Sequence, residues 1–138
     1  MRGVATSIGH APAVGLIDAG TGACLSLAEA LTNIVWADLE TSLSGVSLSA
    51  NWMWPAKQNG ENARLYDAVE AISQFAIELG IPIPTGKDSL SMTMHYDDGQ
   101  SIKAPGTVVV SAVSEVADVS KTVVPSLVDE KDLSLIHI

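Results

Sequence analysis

Residues 46–82 run VSLSANWMWPAKQNGENARLYDAVEAISQFAIELGIP, and two periods follow one another within them. Val46, Leu48 and Ala50 alternate with Ser47, Ser49 and Asn51, the period of two that a strand shows when one face is buried. From Glu61 the period changes. Leu65, Val69, Ile72, Ala76 and Leu79 recur at helical spacing, Gly80 stands where a left-handed cap is needed, and Pro82 follows just beyond. Residues 52–60 form the connecting loop. A one-face strand feeding an amphipathic helix predicts an α/β (α+β) fold.

Working outward, residues 13–17 are an apolar run ended by Asp18, Gly20 and Gly22, which predicts a strand running into a turn. Leu27, Leu31, Ile34 and Val35 lay an apolar stripe along a helix predicted over 24–38. Downstream, Pro82, Pro84 and Gly86 predict a loop. Leu90, Met92, Met94 and Tyr96 then alternate with polar residues in a strand that ends at the Asp98-Gly99 turn signal. Residues 107–116 are β-branched or small apart from Glu115 and predict a strand buried on both faces. The expected order is β-α-β-α-β-β.

A chain of 138 residues that is 47% hydrophobic can bury one core, so one domain is expected. The formal net charge of −9, with only 7 basic residues scattered along the chain, excludes a non-specific nucleic-acid surface. No apolar run approaches the roughly 20 residues of a membrane span, and no signal-peptide core follows Met1. The single Cys24 cannot form an internal disulfide, which fits a reducing, cytoplasmic compartment. No repeat of solenoid or propeller type is visible. Residues 129–138 form a tail, and residues 133–138, Leu-Ser-Leu-Ile-His-Ile, are similar to a translated sequencing adaptor. They are expected to be an artefact outside the fold.

Chemistry-bearing residues fall in three places. Thr85-Gly86-Lys87-Asp88-Ser89 is not a P-loop: Gly80 is one position too far from Gly86, Asp88 follows the lysine, and a strand is expected next instead of a helix. As a loop it still offers a cation, a carboxylate and a hydroxyl to an anion or a magnesium-bound phosphate; a turn whose side chains bond their own backbone is the structural alternative. Glu29 and Asn33 are i and i+4 on one helix face and could share one hard cation. Against that stands a capping box, Ser26-Leu-Ala-Glu29, which would make Glu29 a helix-start residue and Asn33 a solvated one. Trp52, Trp54 and Pro55 follow a strand's carboxyl end, as an aromatic platform or as indoles capping the core. A nucleophilic site pairing Cys24 with His10, His95 or His137 has nothing in the sequence to tie its members together.

As strings, several segments resemble one family. Gly3-Val-Ala-Thr-Ser-Ile-Gly-His-Ala-Pro12, Ala28-Glu-Ala-Leu-Thr-Asn-Ile34, Leu48-Ser-Ala-Asn-Trp-Met53, Ala63-Arg-Leu-Tyr-Asp-Ala68 and Gly86-Lys-Asp-Ser-Leu-Ser-Met92 are similar, in order and without a gap from about Gly3 to Leu127, to the long single-chain form of phosphoribosylformylglycinamidine synthase. The resemblance implies an N-terminal-type subdomain of the aminoimidazole ribonucleotide synthetase-like fold, in the second of two pseudo-symmetric halves, over residues 1–128. It implies an internal piece of an ATP-dependent ligase. That enzyme phosphorylates the formamide oxygen of formylglycinamide ribonucleotide and lets glutamine-derived ammonia displace phosphate.

The resemblance further implies that Glu29 and Asn33 hold Mg²⁺ for a bound ATP or ADP, at a site where the nucleotide is a structural element. Lys87, Asp88 and Ser89 are implied to line the ligand cleft. The partners implied are the remainder of the same polypeptide: the first synthetase half, the following subdomain and the glutaminase. The chain alone is expected to be inactive. An aminoimidazole-ribonucleotide-synthetase-like or thiamine-phosphate-kinase-like enzyme of the same fold would want an Asp-rich phosphate site near its start, and residues 1–17 contain no Asp or Glu. A non-catalytic nucleotide-binding or dimerising module of the same fold is the remaining alternative.

Overall fold

The computed structural model describes residues 1–124; the tail at 129–138, with its adaptor-like end, lies outside the described residues. The described chain runs β1 (Gly3–His10), α1 (Pro12–Ile17), α2 (Ala19–Ile34), β2 (Ser47–Met53), α3 (Glu61–Leu79), β3 (Thr85–Ser89), β4 (Thr93–His95), β5 (Ser101–Lys103) and β6 (Thr107–Val116). Strands β1, β6, β2 and β3 form one sheet in that order, and β4 with β5 forms a separate hairpin. β6 runs antiparallel to both neighbours and β3 parallel to β2, so β1, β2 and β3 share a direction. Within the large sheet and its two long helices the order is the expected β-α-β-α-β-β, an α+β fold.

Two of those strands are not the ones expected. Residues 13–17 are helical, as α1: Pro12 presets the first turn, and Arg64 on α3 donates through Nη2 to the Gly15 carbonyl at 2.6 Å, tying down the helix end. The first strand is instead β1, whose signal is inverted. Its inward residues are Gly3, Ala5, Ser7 and Gly9, while the large ones, Val4 and Ile8, point outward. The expected loop at 85–89 is strand β3, because pairing of Ala50 with Gly86 and of Asn51 with Lys87 satisfies its backbone despite a polar composition. The strand expected over 90–96 shortens to β4, which hairpins through Gly99 (φ 82°) onto β5.

The helices were placed more accurately. α2 starts five residues earlier than predicted, at Ala19, because Asp18 caps it: the Asp18 carboxylate accepts the Thr21 amide hydrogen at 2.6 Å, which also holds its pKa below the usual range. It ends at Ile34 rather than 38. α3 covers Glu61–Leu79 as predicted, with Gly80 left-handed at φ 67° and its N–H on the Ala76 and Ile77 carbonyls.

Both helices lie on one sheet face. Leu27, Ile34, Leu48, Val46, Ile72, Val110 and Trp54 are each at most 2% exposed in this core. Central strand β6 therefore buries one face, not both: Val108, Val110, Ala112 and Val116 are buried, while Val113 is 42% exposed on the other side. That second face, with Val4 and Ile8, is uncovered among the described residues.

What lets α2 lie on β1 is the missing side chain of Gly9. A Cβ there would sit 2.1 Å from the Ser26 carbonyl oxygen and 2.3 Å from the Ala30 nitrogen. Backbone meets backbone, and Ser7 Oγ adds a hydrogen bond to the Ala30 carbonyl at 2.6 Å. Gly9→Ala must push α2 off the sheet and is expected to cost about 1–3 kcal/mol, as overpacking does. Chemical denaturation monitored by tryptophan fluorescence measures it, and an unchanged midpoint contradicts the packing described.

Candidate functional site

Seating α2 on β1 places Glu29 and Asn33 along the free edge of that strand. β1 is an edge strand, so alternate residues turn their N–H and C=O groups away from β6. Glu29 Oε2 accepts the His10 amide hydrogen at 2.6 Å and lies 3.4 Å from His10 Nδ1. One turn on, Asn33 Nδ2 donates to the Ile8 carbonyl at 3.0 Å. The backbone hydrogen bond from His10, followed by the contact with its ring, holds the Glu29 carboxyl below its ordinary pKa, so it stays anionic. Both side chains are exposed.

The capping box is thereby overturned as the explanation of Glu29. Ser26 lies well inside α2 and is buried; its hydroxyl donates to the Gly22 carbonyl at 2.9 Å and accepts the Ala11 amide hydrogen at 3.0 Å. The two oxygens left over, Glu29 Oε1 and Asn33 Oδ1, make no hydrogen bond among the described residues and are hard donors suited to Mg²⁺. They are a partial set: no group of three or more His, Cys, Asp or Glu among the described residues could hold a metal ion. Mg²⁺ commonly accepts so few protein ligands when nucleotide phosphates and waters complete its shell, so these residues fit the ion in that form. Beside Asn33 opens a mainly apolar hollow of about 570 Å³, bounded by Thr6, Ile34, Trp36 and Val123.

Lys87, Asp88 and Ser89 are not brought to this place. The register His10–Val109–Asn51–Lys87 crosses the whole sheet, putting Lys87 three strand spacings, roughly 14 Å, from His10. Strand alternation also splits the expected triad. Lys87 Nζ bonds Ser89 Oγ at 2.8 Å on the open face, and Asp88 projects to the other. His10, named in the sequence only as a partner for Cys24, and Asn51, not singled out there, share that open-face row with Lys87 toward the carboxyl ends of three strands that run in one direction.

Trp54 is buried in the core at 1% exposure, with Trp52 tilted against it at 6.2 Å between ring centres. The indoles therefore cap the core. Cys24 is half-buried, and burial raises its thiol pKa, the reverse of what a nucleophile needs. His10 is occupied with Glu29, and His137 lies outside the described residues.

A model of the FGAR-AT PurM_N-like domain matches residues 1–115. The chain belongs to that family. FGAR-AT PurM_N-like relatives include a chloroplastic/mitochondrial protein of Arabidopsis thaliana named for phosphoribosylformylglycinamidine synthase, 50% identical over 127 residues, 92% of this chain and 9% of that one. The human phosphoribosylformylglycinamidine synthase is 45% identical over 125 residues, 91% of this chain and 9% of its own length. The chain thus spans about a tenth of these relatives, and the plant relative's name places that protein in the chloroplast or mitochondrion. Among solved structures, PurLQS of Thermotoga maritima overlays with a TM-score of 0.63 at 19% identity, over 91% of this chain and 19% of that one. PurL from the same organism complexed with ATP gives 0.62, also at 19% identity, over 83% and 18%. At that identity these overlays show the PurM-type fold. Among the described residues no helix is long and apolar enough to cross a membrane.

The edge contacts make a local prediction. Glu29→Ala leaves the His10 amide without its charged acceptor, and its hydrogen exchange is expected to accelerate at least about tenfold. Amides paired between β2 and β6 stay unchanged. Exchange mass spectrometry or NMR reads both, and an unaltered His10 amide contradicts the contact.

Proposed function

We propose that this chain is the second-half, N-terminal-type synthetase section, over residues 1–128, of a phosphoribosylformylglycinamidine synthase, and that Glu29 and Asn33 hold Mg²⁺ for a bound ATP or ADP. The observation that carries the reading is the pair of open oxygens on one face of α2, each side chain fixed at its other atom by the edge of β1. Support for the nucleotide comes from the family membership and from Thermotoga maritima PurL, which has been solved in complex with ATP and with ADP.

In this reading the whole enzyme joins ammonia, released from glutamine, to formylglycinamide ribonucleotide after ATP activates the formamide oxygen. Mg²⁺ would neutralise phosphate charge at the nucleotide. The chain's own residues bind and orient: Glu29 supplies a carboxylate that stays charged, Asn33 supplies a neutral oxygen, and Lys87 with Ser89 offers a cation and a hydroxyl on the open sheet face. Asp88 stands on the opposite face of the same strand. The nucleotide held by Glu29 and Asn33 is a structural element rather than the one consumed. The remainder of the polypeptide covers the open face of Val4, Ile8 and Val113, since a bare apolar sheet costs about 25 cal/mol for each Å² left in water. Without that remainder the chain has no synthetase activity.

Calorimetric titration of Mg²⁺-ADP into the complete protein tests the reading. Glu29→Ala and Asn33→Ala are each expected to weaken tight nucleotide binding by tenfold or more while sparing ammonia-dependent synthesis. Loss of synthesis with binding intact would instead assign both residues to the catalytic nucleotide.

A further inference from the structure

We infer that the free edge of β1 is the template that aims the two magnesium ligands, and that it dictates an amide at position 33. The inference rests on the magnesium reading above and extends it by giving each side-chain atom its own task. Ile8 and His10 are two residues apart and both turn their N–H and C=O groups to the free edge of β1; of these, α2 engages one acceptor, the Ile8 carbonyl, and one donor, the His10 amide. α2 answers in matching order, with Glu29 as acceptor and Asn33 as donor one turn later. Each side chain thus spends one polar atom on the strand. Glu29 keeps Oε1 and Asn33 keeps Oδ1, both held by a rigid backbone instead of by flexible side chains. Loss of a group that orients a metal ligand in this way commonly costs about ten- to a hundredfold in metal affinity.

Position 33 separates this account from simple charge counting. An aspartate there would bring a second negative charge, which on electrostatics alone tightens a divalent-cation site. It has no N–H for the Ile8 carbonyl. One of its oxygens would lie against that carbonyl oxygen, or the side chain would swing away and take the other oxygen with it. The asparagine is required for its nitrogen as much as for its oxygen, and Ile8 and His10 are positioning residues that act through their backbone.

The test is ADP binding to the complete protein across a Mg²⁺ series, for the wild type and for Asn33→Asp, Asn33→Gln and Asn33→Ala. Asn33→Asp is expected to raise the Mg²⁺ needed for half-saturation by about ten- to a hundredfold, to the level of Asn33→Ala or beyond. Asn33→Gln keeps an amide and falls between wild type and Ala. An Asp variant that binds at wild-type Mg²⁺ or lower overturns the inference and leaves the magnesium reading standing. Wild-type ADP binding that is indifferent to Mg²⁺ removes the reading itself, and the inference with it. Thermal unfolding without metal separates misfolding from mispositioning; if the Asp variant does not fold, a Gln variant no better than Ala is the overturning result.

Discussion

Helix α2 and strand β1 touch backbone to backbone at Gly9, and most of what is distinctive in this chain follows from that contact. A residue with any side chain at position 9 would hold the helix off by the width of a methyl group. With glycine there, the Ser26–Ala30 turn settles onto the strand, Ser26 is buried deeply enough to bond both Gly22 and Ala11, and Glu29 and Asn33 reach the strand's free edge. The site is therefore a product of close packing. Neither side chain would be fixed if the helix sat a normal distance above the sheet.

The same contact manages an edge-strand liability. An exposed strand edge offers unpaired N–H and C=O groups to any passing strand. Here two of those groups, on Ile8 and His10, are occupied by side chains from α2. The residues proposed to bind a metal also blunt an edge, and the two duties use different atoms of each side chain. The sheet's uncovered face is a different matter. Val4, Ile8 and Val113 lie exposed on it, and this is the face proposed above to be covered by the remainder of a longer polypeptide.

The parts of the fold legible in the sequence were those whose large residues face the core. Strand β2 follows that rule, and helix α3 follows it through Ala68, Ile72 and Ala76 while Val69 and Leu79 of the expected stripe stay exposed; α3 was nonetheless placed to the residue, including the left-handed Gly80. β1 breaks the rule because α2 presses on it, so its inner face must be glycine, alanine and serine and its apolar periodicity points outward. β3 was hidden for another reason. Lys87 and Asp88 carry no strand preference, and only pairing with β2 makes them a strand, which no local pattern records. At the site, the i, i+4 spacing of Glu29 and Asn33 was legible, and the family resemblance supplied their role. Their hydrogen bonds to Ile8 and His10 were not legible, since these depend on a strand that the periodicity concealed. The grouping of Lys87, Asp88 and Ser89 failed for the same reason that β3 was missed: a loop can gather three successive side chains, and a strand sends them to opposite faces.

The most direct measurement is anomalous diffraction from crystals of the complete protein grown with ADP and Mn²⁺ in place of Mg²⁺. The account predicts a manganese peak ligated by Glu29 and Asn33, with the His10 amide still on Glu29 and the Ile8 carbonyl still on Asn33. Bound nucleotide and manganese with neither residue in the coordination shell would contradict it.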